Sequence, residues 1–218
     1  MSDEWELWDE FCDSTNREVL WATKCIDLLQ ELNLIPSGTI VDAGCGNGVF
    51  TSCFKPHCST LVGLDSRDFR TSRDFEFFSV GFESYSGPKP DILIFKQSFH
   101  LIPEVWRTLE KFKDSKLLII QMPKPEYMAD EERAYEREPF NAKANSEVFA
   151  SLGREVILKT EVLELPMKRS LYERLIKGAY HSGLRKMTQE ERDRVWDSLN
   201  VTEEDAIFRD ELDLLLVL

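Results

Sequence analysis

Val41-Asp42-Ala43-Gly44-Cys45-Gly46-Asn47-Gly48-Val49-Phe50 reads as the end of a strand, a glycine-rich loop and the start of a helix. Glycines at alternate positions let the backbone turn sharply and pass close to a ligand, because none carries a Cβ. Upstream, Thr39-Ile40-Val41 is a short β-rich run, and Pro36-Ser37-Gly38 breaks the helical pattern before it. That pattern spans 14–34, with Val19, Ala22, Ile26, Leu29 and Leu32 at helical spacing. Downstream, apolar runs over 60–64, 77–80, 92–95 and 117–120 predict four more strands, with a helix over 103–112. Continuously apolar strands that alternate with helices belong to a parallel sheet buried on both faces. Longer strands are predicted over 155–165 and 206–218, and helical insertions over about 126–152 and 168–199. The expected architecture is an α/β doubly wound sheet with helical decorations, whose ligand site lies at the carboxyl end of the first strand.

The loop is not a dinucleotide fingerprint. That motif needs a third small residue to pack helix against strand, and here the position falls on Val49. Asp42, directly before the loop, suits a ligand bearing an ammonium group better than a pyrophosphate.

Composition narrows the function further. The 218 residues, 42% hydrophobic, suffice for one domain with one core. No apolar stretch approaches the roughly 20 residues of a membrane span. Met1-Ser2-Asp3-Glu4 lacks the basic-then-apolar order of a secretory leader. Five cysteines without a CxxC pair predict a reducing, cytoplasmic setting. Cys53, His57 and Cys58 form half a zinc set that no second pair completes, and Asp130, Glu131 and Glu132 read as a solvated helix start, so no metal is expected. A formal net charge of −13 repels phosphate backbones and disfavours nucleic acid as a partner. One segment runs against this field. Residues 168–194 hold eight basic and four acidic side chains, a solvated helical surface or an anion-attracting wall.

The acid followed by G-x-G-x-G resembles motif I of the class I S-adenosylmethionine-dependent methyltransferases. Asp65, closing the second strand, matches the family's acid that accepts the ribose hydroxyls, a task suited to a carboxylate. Val80-Gly81-Phe82-Glu83 falls at the turn that flanks the adenine, with Phe82 in place of the usual acid or amide. The stretch from Pro90-Asp91-Ile92 to His100 matches the fourth-strand motif, whose following backbone borders the methionine and methyl group. Leu165-Pro166-Met167 through Tyr172, followed by Ala179-Tyr180-His181, is similar to the acceptor-capping segment of the trans-aconitate and ubiquinone/menaquinone branch.

The resemblance implies seven strands, mostly parallel with an antiparallel last strand, helices on both faces and insertions forming a cap. It divides the single domain into an N-terminal helical lid (1–35), a cofactor half (36–125) and a substrate half (126–218). It implies S-adenosyl-L-methionine as cofactor, held by Arg17, Asp42, Gly44, Cys45, Gly46, Asp65, Ser66, Phe82, Glu83, Lys96 and Gln97. His100 and His181 are the candidate bases, since imidazole can be neutral near pH 7. Arg169, Arg174 and Arg185 of the basic segment are the candidate acceptor contacts. The expected reaction is methyl transfer to an oxygen of a polar metabolite or sugar, by a monomer or homodimer. The alternatives are a protein- or RNA-modifying methyltransferase and a catalytically silent binding subunit.

Overall fold

Short apolar runs became the parallel strands β1 (Thr39–Ala43), β2 (Thr60–Leu64), β3 (Glu76–Phe78), β4 (Ile92–Lys96) and β5 (Lys116–Gln121). This computed structural model describes residues 3–35, 37–68, 70–72, 74–122, 141–178, 184 and 187–218, with side chains from Leu7 onward. β1 pairs in parallel with β2 and β4, β2 with β3, and β4 with β5. The long C-terminal strand β7 (Asp205–Val217) pairs antiparallel with β5, and β6 (Val156–Lys168) lies outside it. The seven-stranded order is β3-β2-β1-β4-β5-β7-β6. β6 and β7 are antiparallel as well: the contacts Glu155–Leu218, Thr160–Asp213, Lys168–Asp205 and Arg169–Glu204 advance on one strand as they recede on the other. From β1 the chain steps outward to β2 and β3, then returns to lay β4 on the other side of β1. That reversal opens the crevice where ligands of doubly wound sheets bind.

Contacts group the chain into two compact units. The larger runs from Trp21 through the five parallel strands and adds the described residues up to Glu161 and 211–218. One face of its sheet presents Val41, Leu64, Leu93, Phe95 and Ile119 to Phe99, to α4 (Val105–Leu109) and to Phe149 of α5 (Ala142–Ser151). Alternation places Asp42, Gly63, Ile94 and Lys96 on the opposite face. There the helix after the glycine loop, α3 (Val49–Ser52), is a single turn. Among the described residues no helix follows β2. Phe75 covers the gap: a Cβ on Gly63 would lie 2.3 Å from its ring, and one on Gly48 2.8 Å.

The second unit holds α1 (Asp3–Thr15), the start of α2 (Arg17–Glu31), α6 (Arg169–Lys177), α7 (Gln189–Ser198) and the adjoining ends of β6 and β7. Its core gathers Leu7, Phe11, Leu165, Leu175, Trp196 and Phe208. The single helix expected over 14–34 is broken at Asn16, whose φ of 54° is left-handed, a state asparagine tolerates better than most residues. The expected strand 155–165 continues through Pro166 to Lys168. Proline is tolerated there because β6 is an edge strand with no outer ladder to break. Among the described residues no helix is long and apolar enough to cross a membrane.

Arg17 is wholly enclosed in this unit. Its Nη1 donates to Glu18 at 2.9 Å and its Nη2 to Asp210 at 3.3 Å. Nε lies 2.7 Å from the other Asp210 oxygen but off the N–H axis, an ion pair without a formed hydrogen bond. The Trp8 ring covers the guanidinium at 4.9 Å. Burial alone would weaken the proton's hold, but Asp210 and Glu18 outweigh it and the group stays charged. Arg17→Leu strands two carboxylates in the interior and should cost about 3–5 kcal/mol in urea unfolding. The added change Asp210→Leu should restore part of that loss. An unchanged midpoint for the single variant would show that the pair is not structural.

Candidate functional site

The glycine loop is tied to the neighbouring strand before it reaches any ligand. The N–H groups of Gly44 and Cys45 both donate to the carbonyl of Leu64, the last residue of β2, at 2.7 and 2.9 Å. Gly44, Gly46 and Gly48 take φ values of 91°, 53° and 80°, the left-handed region that side chains disfavour. The next residue after Leu64 is Asp65, half-buried. Its Oδ2 accepts the Gly46 N–H at 3.1 Å, and its Oδ1 accepts the Arg67 N–H at 3.2 Å. A carboxylate has about four acceptor positions, so two backbone donors leave room for two hydroxyls. A Cβ on Gly46 would meet no atom within 4 Å, so this glycine faces open space.

The other wall of the crevice follows β4. A Cβ on Gly44 would lie 2.4 Å from Cβ of Ser98, and the Ser98 hydroxyl donates to the Ala43 carbonyl. Gln97, half-buried, adopts a φ of 55° and donates its N–H to Ile120 at 2.8 Å. A non-glycine residue in this region costs on the order of 1 kcal/mol, which the Ser98 and Ile120 contacts hold in place. Lys96 ends β4 with its Nζ 5.4 Å from the Phe50 ring of α3. His100 lies in the short 3-10 turn Phe99–Leu101, and burial lowers its pKa below the usual histidine range.

Several expected contacts have other places. Asp42 is buried beneath the loop, where it accepts the Thr51 hydroxyl at 2.6 Å and anchors α3. Cys45 turns its thiol inward against Gly63, and burial pushes the thiol pKa up. Phe82 is a core side chain: Phe112 stacks on it at 5.3 Å and Phe95 meets it edge-on at 5.2 Å, so its ring is occupied. Ser66 and Glu83 are exposed. Arg17 is enclosed by its carboxylates, as above. Cys53 and Cys58 direct their thiols at the Val49 and Phe54 carbonyls, and among the described residues no group of three ligands can hold a metal.

Three described cations of the basic segment are paired with acids within the second unit. Arg174 forks onto Glu10 at 3.0 and 2.9 Å, Lys177 pairs with Glu173, and Lys168 with Asp205. Arg192 donates to the Lys177, Leu184 and Met187 carbonyls, a structural clasp. Arg169 borders a depression of about 500 Å³ shared with Lys168, Ser170, Glu173, Thr202 and Glu204, a lining of both signs. His181 and Arg185 lie outside the described residues. Sequence reasoning missed Ser98, Thr51 and Phe75. Ser98 was legible as a small residue after β4 facing a glycine, whereas nothing local marks Phe75 as the cover of Gly48 and Gly63.

No family model and no curated protein matches the sequence. Solved structures do. Magnesium protoporphyrin IX methyltransferase (ChlM) of Synechocystis PCC 6803, with bound S-adenosylhomocysteine, superposes with a TM-score of 0.57 at 11% identity, over 99% of this chain and 94% of that one. The fold is the one these methyltransferases share. The plantazolicin methyltransferase BamL, also with S-adenosylhomocysteine, gives 0.53 at 15% identity, over 99% and 91%. A Bacillus halodurans C-125 protein classed as a methyltransferase gives 0.53 at 14%, over 88% and 96%. The seven strands, mostly parallel with an antiparallel last strand, agree with the arrangement expected from the resemblance, and the structure adds that β7 lies between β5 and β6.

Burial of His100 should make stability depend on pH. Its folded pKa lies below its unfolded value near 6.5, so the unfolded chain takes up the proton first as pH falls. Stability therefore declines from about pH 6.5 downward until the folded pKa is passed. Urea midpoints at pH 7.5 and 5.5 should fall further in the wild type than in His100→Gln. Equal falls would mean that burial does not hold this imidazole neutral.

Proposed function

We propose that the protein is an S-adenosylmethionine-dependent methyltransferase acting on a small-molecule acceptor, at a hydroxyl or carboxylate oxygen. The observation that carries this reading is the Gly46–Asp65 pair. An open, left-handed glycine is bonded to a carboxylate that keeps acceptor capacity for two neighbouring hydroxyls, at the carboxyl ends of β1 and β2. Support comes from the fold shared with ChlM and BamL, solved with S-adenosylhomocysteine or, for ChlM, also with S-adenosylmethionine. Those two proteins are named for a porphyrin and for plantazolicin, and the net charge of −13 disfavours a polyanionic acceptor.

When bound, the cofactor supplies a methyl group already made electrophilic by its sulfonium. The chain's own work is binding and alignment. Asp65 receives the ribose hydroxyls, and the bare backbone at Gly44 and Gly46 lets the ligand approach closely. Gln97 and Ser98, fixed against β5 and β1, form the wall beside the transferred group. His100, held neutral, serves as proton acceptor when the acceptor is a hydroxyl; a carboxylate requires none. The cysteines described in the structure are all free thiols, which fits a cytoplasmic enzyme.

Calorimetry with S-adenosylhomocysteine tests the reading directly. Asp65→Ala should weaken binding by about 1.5–3 kcal/mol, the worth of hydrogen bonds to a charged group. Gly46→Val should abolish binding with an unchanged circular dichroism spectrum, because a branched Cβ would enter the open space beside the loop. Full affinity in both variants would remove the cofactor from this site.

A further inference from the structure

We infer that β6 pairs edge to edge with β6 of a second copy of this chain, in one antiparallel register centred on Thr160. Among the described residues no strand lies outside β6, which ends the sheet on that side. None of residues 156–164 is buried, and Leu158 is 40% exposed, whereas β7 beside them buries every second residue or more. A long, regular edge is a template for another strand.

The backbone sets which residues face outward. Leu218 donates to the Glu155 carbonyl and Arg169 to the Glu204 carbonyl, both at 2.9 Å, so the odd-numbered residues of β6 bond toward β7. Alternation turns the N–H and C=O groups of Val156, Leu158, Thr160, Val162 and Glu164 to the open edge. Pro166, which has no N–H to offer, falls on the outward set and ends it.

The side chains then select the partner. Ile157-Leu158-Lys159-Thr160-Glu161-Val162-Leu163 is symmetric in chemical type about Thr160. A two-fold axis at Thr160 sets Lys159 opposite the partner's Glu161, Leu158 opposite the partner's Val162, and Ile157 opposite the partner's Leu163. Lys159 and Glu161 fall at non-hydrogen-bonded positions, where facing side chains stand closest. Within one chain Glu161 already holds Lys159 at 2.6 Å and Lys24 at 3.1 Å, one on each oxygen. A carboxylate has about four acceptor positions, which leaves room for the partner's lysine. Other registers fail. Displacement by two residues sets Lys159 against the partner's Lys159, or Glu161 against the partner's Glu161. Displacement by one sets outward backbone groups against residues that bond to β7. The contact is isologous, so it occupies both β6 edges and closes at two copies.

Sedimentation velocity of the full chain tests this. At about 0.15 M salt the Debye length is about 8 Å, which screens the −13 charge on each copy. The wild type should then show twice the chain mass at micromolar concentration. Lys159→Glu and Glu161→Lys each set like charges across the axis. Each should weaken dimerisation by about 10-fold or more with an unchanged circular dichroism spectrum. Mixed in equal amounts, the two variants restore both opposite-charge pairs and should regain the dimer. Thr160→Pro removes the central outward donor, spares the bonds to β7 and should be monomeric. Lys159→Glu and Thr160→Pro decide the matter by themselves if Glu161→Lys, which sets a lysine beside Lys24, does not fold. A monomeric wild type overturns the inference. So does a dimer that survives Lys159→Glu or Thr160→Pro, or a mixture of the two folded charge variants that stays monomeric.

Discussion

Two backbone N–H groups converge on one carbonyl, those of Gly44 and Cys45 on Leu64, and the arrangement of the site depends on that convergence. The parallel pairing of β1 with β2 brings the two strand ends level, and the shared acceptor then holds the loop across the end of β2. Asp65 follows Leu64 directly, so it reaches the Gly46 N–H without any long-range adjustment. Satisfying these donors requires left-handed backbone at three glycines, which is why the chain carries no side chains there. The Ser98 contact closes the same loop from the β4 side and fits it to the reversal in strand order.

Charge is distributed with a different logic in the unit formed by α1, α6, α7 and the adjoining ends of β6 and β7. At its centre Arg17 is enclosed with Asp210 and Glu18, where desolvation is offset by two partners rather than one. Its surface cations are met by acids from elsewhere in the same unit: Glu10 takes Arg174 and Asp205 takes Lys168. Two described cations of a segment that is strongly positive along the sequence thus meet acids that lie outside it. Local charge counts overlook partners that are distant in sequence.

The same distinction explains what the sequence made legible. Strand periodicity and the glycine loop depend on neighbours in the chain, so the parallel strands and the strand–loop–helix turn at Gly44–Gly48 are legible in the sequence, whereas the bond from Gly46 to Asp65 is not. The antiparallel last strand came from family resemblance, because nothing local encodes an antiparallel return, and its insertion between β5 and β6 is visible only in the structure. Asp42 and Phe82 were read as ligand contacts from their positions in motifs. Their burial depends on Thr51 nine residues on, and on Phe95 and Phe112 from other elements. Asn16 has helical neighbours on both sides, and its left-handed turn ends α1 so that the helix marked by the periodicity over 14–34 starts at Arg17.

The most direct measurement is a crystal structure of the protein grown with S-adenosylhomocysteine. The two ribose hydroxyls should lie within hydrogen-bond distance of the Asp65 carboxylate, with the ligand backbone passing over Gly46. Density for the ligand elsewhere, with Asp65 contacting only Gly46 and Arg67, would contradict it.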